Sequence, residues 1–276
     1  MRINCYITPT RTEKTRAMMH AFMQGIHAAG AVRPREIALL GGKMLQPAEV
    51  HVVWGQWLKA LEVVPFAVGL NQTVVNIDNG WLLPGHGGLT GYYRVTVNGP
   101  SPRLIPDLPR LRPAYMGIEI APWKKKGEHI LICMPGPHFG RPWGLSSDEW
   151  SRTIIDRVTS STSRPIIVRA KRSARSFAED LQRAWCVVTY ASSCAVEAVL
   201  AGVPVFCHEA CAAAPVARTD LDLENPVRPD RQDWLASLVH QQFTLAEMAC
   251  GSTWELLTRH FPEFAGFRPA NMVRVS

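Results

Sequence analysis

Apolar and polar positions along the chain follow two periods in turn. Arg2–Ile7, Glu36–Leu40, Val50–Trp54 and Thr73–Ile77 are short runs with the length and β-branched content of strands. Between the first two, Met18, Met19, Phe22, Met23 and Ile26 fall at helical spacing. That helix opens on the capping box Thr10-x-x-Glu13 and is stopped by Gly30. Gly41-Gly42 reads as a turn, a short helical stretch runs through Trp57 and Leu61, and Phe66–Val68 is too short to assign. The second half repeats the alternation. His129–Met134, Pro165–Val168, Cys186–Thr189 and Val203–Phe206 are strands. Ser146-x-x-Glu149 and Ser176-x-x-Glu179 cap helices between them, and Ser192–Leu200 is a helix closed by Gly202. The chain is irregular from Phe206 to Pro229, after which Asp230 and Thr244-x-x-Glu247 open two final helices. Strand and helix in alternation predict an α/β fold with parallel sheets.

Two stretches are punctuated rather than periodic. Gly99–Pro113 carries five prolines together with Arg103, Arg110 and Arg112, which marks a surface segment. Ala121–Glu128, with Lys124-Lys125-Lys126, reads as a solvated linker, dividing the chain into domains 1–125 and 126–276.

The sharpest chemistry lies in the turn Tyr190-Ala-Ser-Ser193 between a strand and a helix, where open α/β sheets bind ligands. The first N–H groups of a helix lack partners and the dipole adds positive charge there, so Ser192 and Ser193 suit an anion. Glu197 falls one turn on, beside Ser193, where a carboxylate can accept from a ribose diol. The alternative is a plain cap at Ser192 and a solvated Glu197. The residues alone leave both open. In the first half Asp78 ends a strand at Asp78-Asn-Gly-Trp81, with His86 nearby in Pro84-Gly-His-Gly-Gly88. A carboxylate there suits proton abstraction from an acceptor hydroxyl, or else only caps an Asx turn.

Ser192-Ser-x-Ala-Val-Glu-Ala-x-x-x-Gly-Val-Pro-Val205 resembles the donor-site motif of GT-B glycosyltransferases, capsule-type and phage-encoded members above all. The likeness extends over about residues 130–260, through Arg164-Pro-Ile-Ile-Val-Arg-Ala-Lys171, Arg228-Pro-Asp-Arg-Gln-Asp-Trp-Leu235, Gln242-Phe-Thr-Leu-Ala-Glu-Met248 and Gly251. Ile77-Asp-Asn-Gly-Trp81 and Tyr92-Tyr-Arg-Val-Thr-Val-Asn98 are similar to a signature of phage glycosyltransferases. The resemblance implies two Rossmann-like domains facing across a cleft, with Tyr190, Ser192, Ser193, Glu197, Arg169 and Lys171 on a nucleotide-sugar donor, a UDP-sugar first. It also implies Asp78, and secondarily His86, as the base.

Composition narrows the acceptor. Of the net charge of +7, all lies in the first half: residues 1–130 hold 15 Lys+Arg against 8 Asp+Glu, and residues 131–276 hold 15 against 15. A basic acceptor side, with Arg94, Arg103, Arg110 and Arg112, points to an anionic acceptor. With the phage-like signatures, that favours DNA carrying hydroxymethylated pyrimidines, since the ordinary bases offer no suitable hydroxyl. A capsule or lipopolysaccharide glycan is the first alternative, and a non-catalytic DNA-binding protein on the same scaffold the second. No apolar run reaches membrane-span length, so no membrane partner is expected. The start is too short and polar for a signal peptide. Seven cysteines among apolar neighbours read as reduced, buried thiols, hence a cytoplasmic protein, of a bacterial host if phage-encoded. Cys207-His208-Glu-Ala-Cys211 lacks a second ligand pair, and Asp220-Leu-Asp222 sits in an acidic loop, so neither a metal nor a cofactor is expected.

Overall fold

The computed structural model describes residues 2–7, 13–30, 33–38, 45–55, 60–85, 89–136, 146–171 and 173–267. The chain forms two compact α/β units: Met1–Ile105 with His240–Ser276, and Pro106–Val239.

The first unit runs β1 (Ile3–Ile7), α1 (Glu13–Ala28), β2 (Arg35–Ala38), β3 (Val50–Trp54), α2 (Ala60–Gly69), β4 (Thr73–Asn79) and β5 (Tyr93–Val97). β1 buries all five of its residues, as a strand covered on both faces must. Met18, Met19, Phe22 and Ile26 put the apolar stripe of α1 into the core. α2 takes up the run Phe66–Val68 left unassigned above; Pro65 within it hid the helix from the pattern. Val63 and Ala67, one turn apart, pack with Tyr6, Val53 and Val74. A buried chain of hydrogen bonds crosses the same layer, from Tyr6 Oη to His51 Nδ1 (2.9 Å) and from His51 Nε2 to Gln72 Oε1 (2.7 Å).

The second unit holds α3 (Arg112–Tyr115), β6 (His129–Cys133), α4 (Ser147–Ser161), β7 (Ile166–Arg169), α5 (Phe177–Gln182), β8 (Ala184–Val188), α6 (Cys194–Leu200) and β9 (Val205–Phe206). α7 (Gln232–His240) ends at its border. Its four strands are all parallel, in the order β7-β6-β8-β9. Ile130, Ile132, Cys186, Val188 and Phe206 pack against Ile154 and Val158 of α4. The expected caps form: Ser146 accepts from Glu149 N, and Ser176 closes a full capping box with Glu179.

Past α7 the chain returns to the first unit as β10 (Gln242–Phe243), α8 (Leu245–Ala249) and α9 (Ser252–His260). The first sheet is therefore mixed, in the order β10-β5-β4-β3-β1-β2: β2, β1, β3 and β4 are parallel, β5 runs antiparallel to β4, and β10 runs antiparallel to β5. α8 lies directly on α1, because Gly25 has no side chain to collide with the Met248 carbonyl.

The path of the chain through these compact units does not follow the division expected at residues 125 and 126. The chain leaves the first unit inside the proline-rich segment and re-enters it after Val239. Lys124 is no solvated linker residue: its N–H meets Gly202 O at 2.7 Å, and its Nζ donates to Leu181 O at 2.7 Å at the end of α5. Burial lowers the pKa of that amine. Arg231 fixes the same strip of chain. The residue is 7% exposed, and its guanidinium donates to Val199 O (2.6 Å) and Ala121 O (2.8 Å) and lies over the Trp123 ring. Counted by folded unit, the first holds 13 Lys+Arg against 8 Asp+Glu and the second 17 against 15. The charge asymmetry is thus milder than the linear count.

Candidate functional site

In the second sheet β6 connects outward to β7 and β8 connects outward to β9, so the two crossovers leave the β6–β8 pair in opposite directions. The carboxyl ends of that pair are where a parallel sheet opens a crevice. Thr189 Oγ1, just past β8, donates to Cys133 O at the end of β6 (3.1 Å) and fixes the two ends together. The turn Tyr190-Ala-Ser-Ser193 follows.

Ser192 Oγ accepts weakly from Cys194 N at 3.4 Å. Ser193 is exposed, adopts helical backbone angles, and leaves its hydroxyl without a partner among the described residues. The carbonyls of Ser192 and Ser193 receive the N–H groups of Ala195 and Val196. Glu197, one turn on, is open to solvent on one side and hemmed by protein on the others. That crowding raises its pKa, and the positive field of Arg169 opposes the rise.

The two cations expected here part company. Arg169 is the last residue of β7 rather than past its end. Its Nη1 is taken up by the buried Asp180 carboxylate and donates to Arg175 O (2.9 Å), and its guanidinium lies over Phe177. Asp180 also receives Arg175 (3.4 Å), so one buried carboxylate serves two arginines and a net positive charge remains beside Glu197. Lys171 is exposed, with no hydrogen bond or ion pair among the described residues. Its stem passes close to Gly136, where a Cβ would stand 3.9 Å away. Among the described residues Lys171 is therefore a cation without a fixed anion at this edge.

Tyr190 is buried and forms an aromatic group that the sequence reading missed. His208, just beyond β9, stacks on it (centroids 4.3 Å, 14°), and Trp150 of α4 meets it edge-on (6.1 Å, 89°). Burial raises the pKa of the Tyr190 phenol. Ala210 N donates to His208 Nδ1 (3.1 Å), so the ring hydrogen sits on Nε2. The Cys-His-x-x-Cys spacing had drawn attention to His208 as a ligand, not as a ring. Among the described residues no group of three or more His, Cys, Asp or Glu is placed to hold a metal ion. Asp220 and Asp222 pair with Arg218.

At the carboxyl end of β4 in the first unit, Asp78 is not a free strand-tip acid. Arg94, its register partner on β5, donates to Oδ2 (2.9 Å), and Asn79 N donates to Oδ1 (2.7 Å). Arg94 also lies over Trp81. Lys14, unmarked in the sequence, closes the cluster. Its Nζ reaches Asn79 Oδ1 (2.9 Å) and Gly85 O (2.5 Å) and lies over the Tyr93 ring. Burial lowers its pKa while the Asp78 charge resists. His86 lies outside the described residues. The other acceptor-side arginines are likewise engaged. Arg103 grips Glu263 with two bonds (2.9 and 2.6 Å), Arg110 pairs with Asp233 (2.6 Å), and Arg112 donates to Val239 O (3.0 Å). Arg103 belongs to one unit, Arg110 and Arg112 to the other.

No family model matches the chain, and no curated protein matches it. Among solved structures it is similar to Thermosulfurimonas dismutans KpsC, beta Kdo 2,4 transferase, with 10% identity, TM-score 0.48, and cover of 85% of this chain and 89% of that one. It is similar also to Thermosulfurimonas dismutans KpsC, beta Kdo 2,7 transferase, with 13% identity, TM-score 0.48, and cover of 86% and 90%.

Proposed function

We propose that this protein transfers a glycosyl group from a nucleotide-activated sugar to a hydroxyl acceptor. The observation that carries the reading is one carboxyl end of a parallel sheet with diverging crossovers, which carries Lys171 past β7 and Ser193 and Glu197 past β8, the first two without a side-chain partner among the described residues. That combination suits a nucleoside diphosphate. Lys171 and the serines take phosphate oxygens and stabilise the departing diphosphate as charge develops on it, and Glu197 accepts from the ribose hydroxyls. Lys171 supplies the positive charge, so the reading calls for no metal. A UDP-sugar is the donor to try first. Arg169 acts through Asp180 as a structural pair and through its field on Glu197, not by touching phosphate.

Asp78 is the base in this reading. Both its oxygens already accept one bond, and each carboxylate oxygen retains a further lone pair for an acceptor hydroxyl. Arg94 orients it. As for the acceptor, the basic first half and the phage-like signatures favour hydroxymethylated-pyrimidine DNA, but Arg94, Arg103, Arg110 and Arg112 are engaged by protein partners, which weakens the charge argument. A carbohydrate hydroxyl is the acceptor we adopt.

The experiment is turnover of a nucleotide-sugar panel with an oligosaccharide, with hydroxymethylpyrimidine DNA, and with no acceptor, scored by product mass. Lys171→Ala should weaken donor binding by about 10- to 100-fold, the worth of a charge-assisted hydrogen bond. A glycosylated nucleoside would overturn the carbohydrate acceptor. Failure of the folded protein to bind any nucleotide sugar would overturn the transferase reading itself.

A further inference from the structure

His208 is a polar group at the carboxyl end of the second sheet that the donor contacts above leave unused. It lies two residues past the end of β9, the strand beside β8. Three contacts hold it there. Its backbone N–H donates to Tyr190 O (2.9 Å), its carbonyl accepts from Cys211 N (2.8 Å), and its ring stacks on the Tyr190 ring with centroids 4.3 Å apart at 14°. Trp150 in turn meets Tyr190 edge-on.

The imidazole is thus fixed in position and plane, and its tautomer is fixed as well. Nδ1 accepts from Ala210 N (3.1 Å), which leaves the ring hydrogen on Nε2. His208 is half-buried, and its Nε2 meets no partner among the described residues. Nor is Nε2 one of the buried polar atoms left unsatisfied, so this edge of the ring is accessible. In that tautomer the ring offers one donor and no charge. A donor already held in place loses little freedom when it binds.

The order of the strands says what it can meet. All four are parallel, so their carboxyl ends lie on one side, with Lys171 past β7, Ser193 past β8 and His208 past β9. Neighbouring strands stand about 4.8 Å apart, so β7 to β9 spans about 14 Å, the scale of an extended nucleoside diphosphate. Lys171 and the serines suit the phosphates and Glu197 the ribose, which leaves the base toward β9. An uncharged N–H suits the neutral acceptor atoms on the edge of a base, whereas phosphate oxygens gain more from a charged donor such as Lys171. We infer, on the glycosyltransferase reading, that His208 Nε2 donates a hydrogen bond to the edge of the nucleotide base, with Tyr190 as the residue that positions the ring.

The test is calorimetric titration of the whole chain with UDP, CDP, GDP and ADP, and with pyrophosphate in competition against the nucleotide bound most tightly. His208→Phe keeps a ring to stack on Tyr190 and removes the N–H. It should weaken that nucleotide by about 3- to 10-fold, the worth of one uncharged hydrogen bond, and leave pyrophosphate unchanged. His208→Gln, which restores an N–H donor at similar reach, should recover part of the loss. Lys171→Ala should weaken nucleotide and pyrophosphate alike. An equal loss of nucleotide and pyrophosphate in His208→Phe would put His208 on the phosphates, and no loss would remove it from the site; either result overturns the base contact while the donor site stands. Wild type that binds none of the four nucleotides overturns the transferase reading itself, and the base contact with it. An azido analogue of the bound base, photoactivated on wild type, decides even if the variants fail to fold. Its adduct should map to a peptide containing His208, and an adduct confined to other peptides overturns the contact.

Discussion

Arg231→Met removes the guanidinium that joins the carboxyl end of α6 to the Ala121 strand of chain, while keeping most of the apolar stem. Two charge-assisted hydrogen bonds are lost, each worth about 1.5–3 kcal/mol. A cation at a helix carboxyl end adds about 0.3–1 kcal/mol, and the stack on Trp123 about 0.5–2 kcal/mol. Against these stands the cost of burying the charge, visible as a lowered Arg231 pKa caused by desolvation. Val199 O also keeps the Gly202 N–H at 3.1 Å, so the larger loss falls on Ala121. The net destabilisation should be about 2–4 kcal/mol, within the range of broken buried networks. Urea unfolding followed by tryptophan fluorescence measures it, and hydrogen exchange in α6 locates it. Arg231→Lys should recover less than half, because one ammonium replaces a fork that spans two carbonyls. A loss under about 0.5 kcal/mol in Arg231→Met would refute the clamp, since a surface residue would do the same.

Gly202→Ala forces a side chain onto φ +75° and into the Pro122 carbonyl; it should cost at least about 1–3 kcal/mol, read as a lowered Tm. Arg169→Met should destabilise the second unit by about 2–4 kcal/mol, leaving the buried Asp180 to Arg175 alone, while the folded fraction keeps its affinity for UDP in calorimetric titration. Glu263 has its pKa lowered by the Arg103 hydrogen bonds, so its contribution to stability is full above the ordinary carboxylate range and disappears as pH falls through the depressed value. Urea midpoints against pH should show this acid limb, and Glu263→Gln should flatten it. Glu197 has a raised pKa, so a site that needs its carboxylate should bind UDP more tightly as pH rises through that value, and Glu197→Gln should remove the rise.

The elements that local chemistry dictates were legible. Ser146, Ser176 and Thr244 cap helices as their spacing says, because a capping box closes within one turn of chain. The path between elements was not. Gln242 pairs with Arg94 and Phe243 with Tyr93 across most of the chain, and a two-residue strand has no periodicity to read. The place where the chain changes units was hidden for the same reason. A triple lysine has the composition of a linker, yet Lys124 is held by carbonyls that only the fold brings near it.

The same contrast governs the site. Ser192, Ser193 and Glu197 could be singled out together from sequence because one strand–turn–helix unit carries all three, so their geometry is local. The cations were counted correctly and their availability was not. Arg94, Arg103, Arg110 and Arg169 each meet a carboxylate, on Asp78, Glu263, Asp233 and Asp180 respectively. An arginine with a fixed anion beside it has less net field to offer a ligand than a lysine that has no such partner among the described residues. Charge composition counts these cations alike and does not tell the paired ones from Lys171. What distinguishes Lys171 is that no acid is folded against it among the described residues, at the edge where Arg169, two positions earlier, already has one. A substitution series across the two positions separates them: loss at Lys171 belongs to binding, and loss at Arg169 belongs to folding.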